Sequence, residues 1–229
     1  MAVRTSVIIP VRNGSNFLAE AIESAMAQLD PADEVLIAWD DSDDDTTSLL
    51  RNFVDPRVRV IKGPGLGVSG GRNAGLTAAL GEFVAFLDHD DLWPPGRHRK
   101  MTQVMVDSCH VDAVFGRIRI RLDPGATPWQ WLLDLDGRHI LGPNLGSGLF
   151  RSSTLRKIGG FDESLRFGED VDYFLRLQET GAQISLCETD ALIYRRHALN
   201  CTNDQLAVQV AIFDIIKRRR ARQVARRRG

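Results

Sequence analysis

The sequence predicts an α/β protein, with a doubly wound, mostly parallel sheet and helices on both faces. Three observations lead there. Short β-branched runs alternate with helix-like segments in a βαβαβαβ rhythm through the first ninety or so residues. The 229 residues, 43% hydrophobic and 26% charged, can bury a core without disulfide or metal staples. No internal repeat or low-complexity stretch interrupts the pattern.

The elements follow in order. Residues 5–9 read as a strand and 15–28 as a helix, with Leu18, Ile22, Ala25, Met26 and Leu29 on one face and Ser15 as its cap. Residues 34–39 form the second strand and 46–53 a short helix. Residues 57–62 alternate Val58 and Val60 against arginines as the third strand. A small-residue helix over 73–80 and a strand over 82–87 complete this half. Right-handed crossovers place the strand C-termini on one rim, where such sheets bind ligands. The second half predicts a helix over 94–108, a strand over 111–122 and a Pro-, Gly- and Trp-rich variable loop over 123–143. An extended run over 145–150 follows, then a helix over 171–179, strands over 183–187 and 191–195, and a terminal helix over 204–225. The expectation is a single domain over 1–216, with a nucleotide-binding half to about residue 92 and an acceptor half after it, then a basic tail over 217–229.

Composition excludes several classes. The net charge of −1 hides an acidic body: residues 217–229 hold eight of the 29 cations and no acid, leaving a net of −9 before them. That is not the footprint of a nucleic-acid binder. Cys109, Cys187 and Cys201 are odd in number and far apart, which argues against structural zinc or a disulfide framework and for a reducing, cytoplasmic location. No apolar run reaches the roughly 20 residues of a membrane span, and the N-terminus lacks a signal-peptide core.

Two acidic clusters carry chemistry. Asp40-Asp41-Ser42-Asp43-Asp44-Asp45 follows the second strand. A calcium loop fails there, because Thr46 stands where a glycine is needed and Asn52 where a bidentate glutamate is needed. Helix capping accounts for Asp43 and Asp44 but not for Asp40 and Asp41, which end a buried strand on the ligand rim. Asp88-His89-Asp90-Asp91 ends the fourth strand in the same way. Carboxylates crowded at a hydrophobic edge repel one another unless a cation sits among them, and Mg²⁺ or Mn²⁺ prefers such oxygens and bridges to a diphosphate. The literal GxGxxG at residues 65–70 follows two earlier βα units, the wrong place for a dinucleotide fingerprint. It reads instead as a flexible glycine loop leading to Arg72, a phosphate ligand by its chemistry.

In this order the pieces resemble the family 2 glycosyltransferases of the GT-A, Rossmann-like fold. The matching stretches are Val7-Ile-Ile-Pro-Val-Arg-Asn13, Asp40-Asp41, Gly71-Arg-Asn-Ala-Gly75, Phe86-Leu-Asp-His-Asp-Asp91, Gly159-Gly-Phe-Asp-Glu163, Phe167-Gly-Glu-Asp170 and Tyr194-Arg-Arg-His197. The resemblance implies a nucleotide-sugar donor, UDP favoured, a hydroxyl-bearing acceptor and Mn²⁺ or Mg²⁺. Pro10, Val11, Arg12 and Asn13 would line the base pocket, Asp41 would meet a uracil ring, and Asp88-His89-Asp90 would be the DxD motif. Asp90 is then the metal ligand, with Asp88 on ribose or metal and His197 near the metal or diphosphate. Asp170 matches the general base of inverting members, beside Glu169 on the acceptor side.

The chemistry supports those roles independently. A departing diphosphate needs neutralising, and an acceptor hydroxyl needs a carboxylate to take its proton. Arg12 stands where many members have tyrosine, and Ser42 replaces the usual glycine. Trp129 and Trp131 in the variable loop read equally as stacking platforms for the acceptor or as plain packing residues. Competing readings are a sugar-nucleotide pyrophosphorylase, which would need a glycine-rich basic loop after the first strand, and a catalytically silent nucleotide-sugar-binding module. The basic tail reads either as a solvated end of a helix docked through residues 206–216, or as a peripheral anchor to the anionic inner face of a membrane.

Overall fold

The computed structural model describes residues 5–126, 137–141 and 144–228. One eight-stranded sheet runs through it in the order β3-β2-β1-β4-β7-β5-β6, with β8 paired to β5. Strands β1 (Thr5–Val11), β2 (Glu34–Trp39), β3 (Val58–Lys62) and β4 (Phe83–Phe86) are parallel to one another. The second half adds β5 (Ala113–Leu122), β6 (His139–Leu141), β7 (Gly148–Arg151) and β8 (Ile184–Arg196). Strand β7 lies antiparallel between β4 and β5, so the sheet crosses residue 92 without a break.

Alternation along the parallel strands builds two cores. Val7 and Ile9 of β1 with Val35 and Ile37 of β2 pack on Leu18, Ile22 and Ala25 of α1 (Leu18–Met26) and on Met101 and Met105 of α4 (Arg97–Asp107). The intervening Ile8, Leu36, Val84 and Phe86 face the other side, against Leu155 of α5 (Ser152–Ile158), Phe161, and Tyr173 and Leu177 of α6 (Glu169–Glu179). On that side α3 (Gly67–Ala78) approaches β1 closely: a Cβ on Gly75 would lie 2.4 Å from Ile8 Cγ2.

Several expectations shift. Helix α1 begins a turn after Ser15, whose side chain is not its cap; the Ser15 backbone N–H instead donates to Asp44 Oδ2 at 2.9 Å, and Gly14 O accepts from Leu18 N. The short helix α2 (Thr46–Asn52) stands as expected. The glycine loop is largely helix, because α3 starts at Gly67 rather than at Asn73. Positive φ at Gly65 and Gly67 makes the turn into it. Residues 145–147 are a tight 3₁₀ turn capped by the Asn144 side chain, not strand. Helix α5 was not foreseen; its pair Leu155 and Ile158 is too short a pattern to declare a period. The two short strands near the end are one long β8, with register shifts around Arg117 of β5 absorbing the polar interval between them.

Arg97 is fully buried without a carboxylate partner. Its guanidinium donates to the carbonyls of Ala191, Gly146 and Gly148 and stacks 3.8 Å from the Trp93 ring, and burial lowers its pKa to about 9. It thereby ties β8, the 145–147 turn and β7 to α4.

The terminal helix α7 (Gln205–Arg228) runs unbroken past residue 216, so the basic run is its last turns rather than a separate tail. The expected apolar docking is mostly absent. Ile215 is buried, whereas Leu206, Val210, Phe213 and Ile216 are exposed. Ion pairs hold the helix instead: Arg218 with Asp162 at 2.7 Å, and Arg222 with Asp172 at 2.9 Å. No helix among the described residues is long and apolar enough to cross a membrane.

Candidate active site

A cleft of about 280 Å³ opens at the C-terminal ends of β1, β2 and β4. Its walls are Pro10, Val11 and Arg12 from β1 and the loop after it, Ala38 and Asp40 from β2, and Gly67, Val68, Gly71 and Arg72 from α3. Asp88, His89 and Asp90 follow β4, and residues 166–170 close the cleft at the start of α6. This is the rim that parallel crossovers predict.

Arg72 organises the centre. It is 3% exposed and donates from Nη2 to Asp88 Oδ1 and from Nη1 to Glu169 Oε1, each at 2.7 Å. Burial opposes its charge, but Asp88, Glu169 and Asp170 outweigh burial and push its pKa up. Arg72 is therefore a bridge between the two acidic segments on the cleft wall. Glu169 is likewise turned to Arg72. Burial raises its pKa despite that partner, and Asp170 beside it adds to the rise.

Asp170, half-buried on the cleft wall, accepts from Val171 N at 2.7 Å. Burial raises its pKa above the ordinary carboxylate value, and the charge of Asp88 adds to the rise. Gly168, at φ +73°, turns the chain into α6 just before this acidic pair.

Asp90 sits in a different setting. Its Oδ2 lies 3.1 Å from His197 Nε2 and accepts from Asn200 Nδ2 at 3.2 Å. Burial would raise its pKa, but the His197 bond and the nearby imidazoles outweigh it and hold the carboxylate low. His197 stacks on Phe17 at 4.3 Å, and its Nδ1 accepts from Leu199 N at 3.1 Å. A neutral imidazole accepting at Nδ1 carries its proton on Nε2. In this tautomer His197 donates to Asp90 and fixes its direction. Asp91 is buried behind, its pKa well raised by burial and by Asp90 and Asp88, and accepts from Arg195 N at 2.9 Å.

Other expected residues fall outside the cleft wall. Asn13, at φ 53°, accepts from Asp43 N and ties β1 to the acidic loop. Asp41 is exposed and pairs with Lys62 at 3.3 Å; its neighbour Asp40 is the wall residue, accepting from Gly65 N at 3.0 Å. Successive residues past a strand end turn to opposite sides, and the sequence alone did not say which of the two faces in. Trp129 and Trp131 lie outside the described residues. Tyr194 and the segment 200–202 also line the cleft, although sequence reasoning did not select them. Tyr194 stood inside a matched motif, which was the available signal.

Among the described residues, one group brings three ligand atoms within 4.8 Å of one another: Asp30, Asp33 and His98. It lies at the opposite, N-terminal end of β2, where Asp33 accepts from Thr5 N, Asp30 N and His98. Those bonds use the Asp33 carboxylate to fasten strand starts.

The profile of the family described as "Glycosyl transferase family 2" matches residues 6–202. A succinoglycan biosynthesis protein, ExoO, of Rhizobium meliloti is 38% identical over 48% of this chain and 34% of its own length. An Escherichia coli UDP-Glc:alpha-D-GlcNAc-diphosphoundecaprenol beta-1,3-glucosyltransferase, WfgD, is 30% identical over 50% of this chain and 46% of its own. The chain therefore matches less than half of either relative's length. In structure, S. aureus TarS 1-349 in complex with UDP-GlcNAc superposes with a TM-score of 0.68 at 22% identity, over 88% of this chain and 61% of that one. The fold is the GT-A fold of that structure, and the chain belongs to glycosyl transferase family 2.

Proposed function

We propose that the chain is a metal-dependent, inverting glycosyltransferase that moves one sugar from a UDP-sugar to a hydroxyl acceptor. The observation that carries this reading is the convergence of Asp88 and Asp90 from the β4 rim with Asp170 from the start of α6 on one cleft, across Arg72. Support for the donor comes from WfgD, whose name specifies UDP-Glc, and from the family fold.

The residues fit a hard divalent cation. Asp88, Asp90 and Asp91 crowd one turn, and Asp91 is pushed toward its neutral form by burial first and then by the charges of Asp90 and Asp88. A further positive charge there is favoured. Mg²⁺ commonly takes one or two carboxylates and completes its shell with water and phosphate oxygens, and Mn²⁺ suits the same donors. Asp90 would hold the cation, with Asp88 as second carboxylate or ribose contact and His197 keeping Asp90 in line. Bound there, the metal neutralises charge on the departing diphosphate.

The protein's own part is positioning and proton transfer. Pro10, Val11, Arg12 and Asp40 form the wall for the nucleotide base. Asp170 takes the proton of the acceptor hydroxyl as that oxygen attacks the anomeric carbon opposite the leaving group, which inverts the centre. Its raised pKa makes it a better base than an exposed aspartate.

Isothermal titration of UDP in Mn²⁺, followed by a screen of UDP-sugar turnover, tests the reading. Binding should require the metal and fail in Asp90→Ala. UDP affinity that is undiminished in that variant and insensitive to EDTA would overturn the metal assignment.

A further inference from the structure

We propose that the outward face of α7 docks on an anionic lipid bilayer. The inward face of this helix is already engaged. Ile215 packs against Gly168, where an added Cβ would meet it at 2.6 Å, and Arg218 and Arg222 pair with Asp162, Asp172 and Glu179. The opposite face therefore stands preformed, with no refolding needed to present it. At 100° per residue, Leu206, Val210 and Phe213 share that face with Lys217, Arg220 and Val224. All six are exposed.

The stripe is apolar over its first half and cationic beyond, and residues 217–229 contain no acid. A second copy of the helix fits this poorly. Parallel pairing would set cations against cations, and antiparallel pairing would set cations against Phe213 and Val210. A bilayer interface offers both complements at once, acyl chains for the apolar half and anionic headgroups for the basic half. The −9 of the remaining chain opposes binding weakly, because charges beyond about 8 Å are screened at physiological salt.

The placement relative to the cleft is direct. Residues 200–202 line the cleft just before α7, and Gly168, which touches Ile215, lies next to Glu169 and Asp170. A surface bound along α7 brings the acceptor side of the cleft close to the lipid. Only this last consequence rests on the sugar-transfer reading, since vesicle binding is measured without donor or metal.

Flotation with phosphatidylcholine vesicles, with and without one-quarter phosphatidylglycerol, decides the matter. The chain should float with the anionic vesicles and stay behind with the neutral ones, and 0.5 M NaCl, as about a threefold rise over physiological salt, should release it. Each cation removed from the surface weakens partition about fivefold, so Lys217→Glu with Arg220→Glu should abolish recovery. Val210→Ser with Phe213→Ser should lower it at unchanged melting temperature, because both side chains are exposed. Equal recovery on both vesicles, no recovery on either, or a dimer in light scattering that Phe213→Ser dissolves would each overturn the proposal.

Discussion

Replacing Arg72 by methionine removes a cation that links the acidic turn after β4 to the acidic first turn of α6. The two bonds it would lose are unequal. Glu169 has a side chain only 11% exposed, whereas that of Asp88 is 41% exposed and its pairing is screened by solvent. Stripping the partner from a buried ion pair costs about 3–5 kcal/mol, and an exposed pair contributes about 0–1 kcal/mol. The expected loss at neutral pH is about 3 kcal/mol, nearly all of it from Glu169. The pH dependence separates charge from packing. Burial already raises the Glu169 pKa with Arg72 present, and removing Arg72 raises it further. A group whose folded pKa exceeds its unfolded value contributes stability at low pH and loses it as pH climbs through that window. The deficit of the variant against wild type should therefore grow from pH 4.5 to pH 7. Urea denaturation at both pH values, followed by tryptophan fluorescence, reads it directly. A deficit below about 1 kcal/mol, or one equal at both pH values, would refute the electrostatic bridge.

Asp170→Asn keeps the shape of the side chain and removes its basicity, so UDP binding should persist while kcat falls by about 10²–10⁴-fold; a drop of only severalfold on the true acceptor would place the base elsewhere. Because burial raises the Asp170 pKa, the acid limb of the wild-type rate profile should lie above the ordinary aspartate range, activity falling as pH drops through it, and this limb should vanish in the asparagine variant. Gly75→Ala places a methyl 2.4 Å from Ile8 Cγ2 between α3 and β1. Overpacking there should cost about 1–3 kcal/mol, measurable as a lowered denaturation midpoint, and a neutral result would mean that α3 can slide.

The first half of the fold was legible because its strands follow one rule. Runs such as Val7-Ile8-Ile9 and Val35-Leu36-Ile37 are buried on both faces, and β2 matches the sequence expectation residue for residue. The second half obeys no such rule. Strand β7 is four residues long, and β8 is broken in pattern where Glu188 and Thr189 pass the bulge beside β5. At the site, composition and motif order brought Asp88, Asp90 and Asp170 to one cleft. Orientation was not readable. Whether Asp40 or Asp41 faces inward, and whether Arg72 meets phosphate or carboxylate, depends on partners that are distant in sequence, such as Glu169, 97 residues from Arg72.

The lacing of β8 to the acidic turn also has a consequence for how the chain reaches its native state. Asp91 is bonded by Arg195 N, 104 residues further on, Asp90 by His197, and Leu92 forms a bridge with Ile193. Strand β4 gains its second neighbour only when β7 arrives. A chain emerging from the ribosome through residue 92 would thus carry Phe83-Val84-Ala85-Phe86 as an open sheet edge, beside three carboxylates with no counter-charge from β8. The loop must close over its full length before that turn is satisfied, which slows folding and leaves the edge exposed to intermolecular pairing. The first half is therefore not a separable module: it is finished, chemically and as a sheet, by strands that come later in the chain.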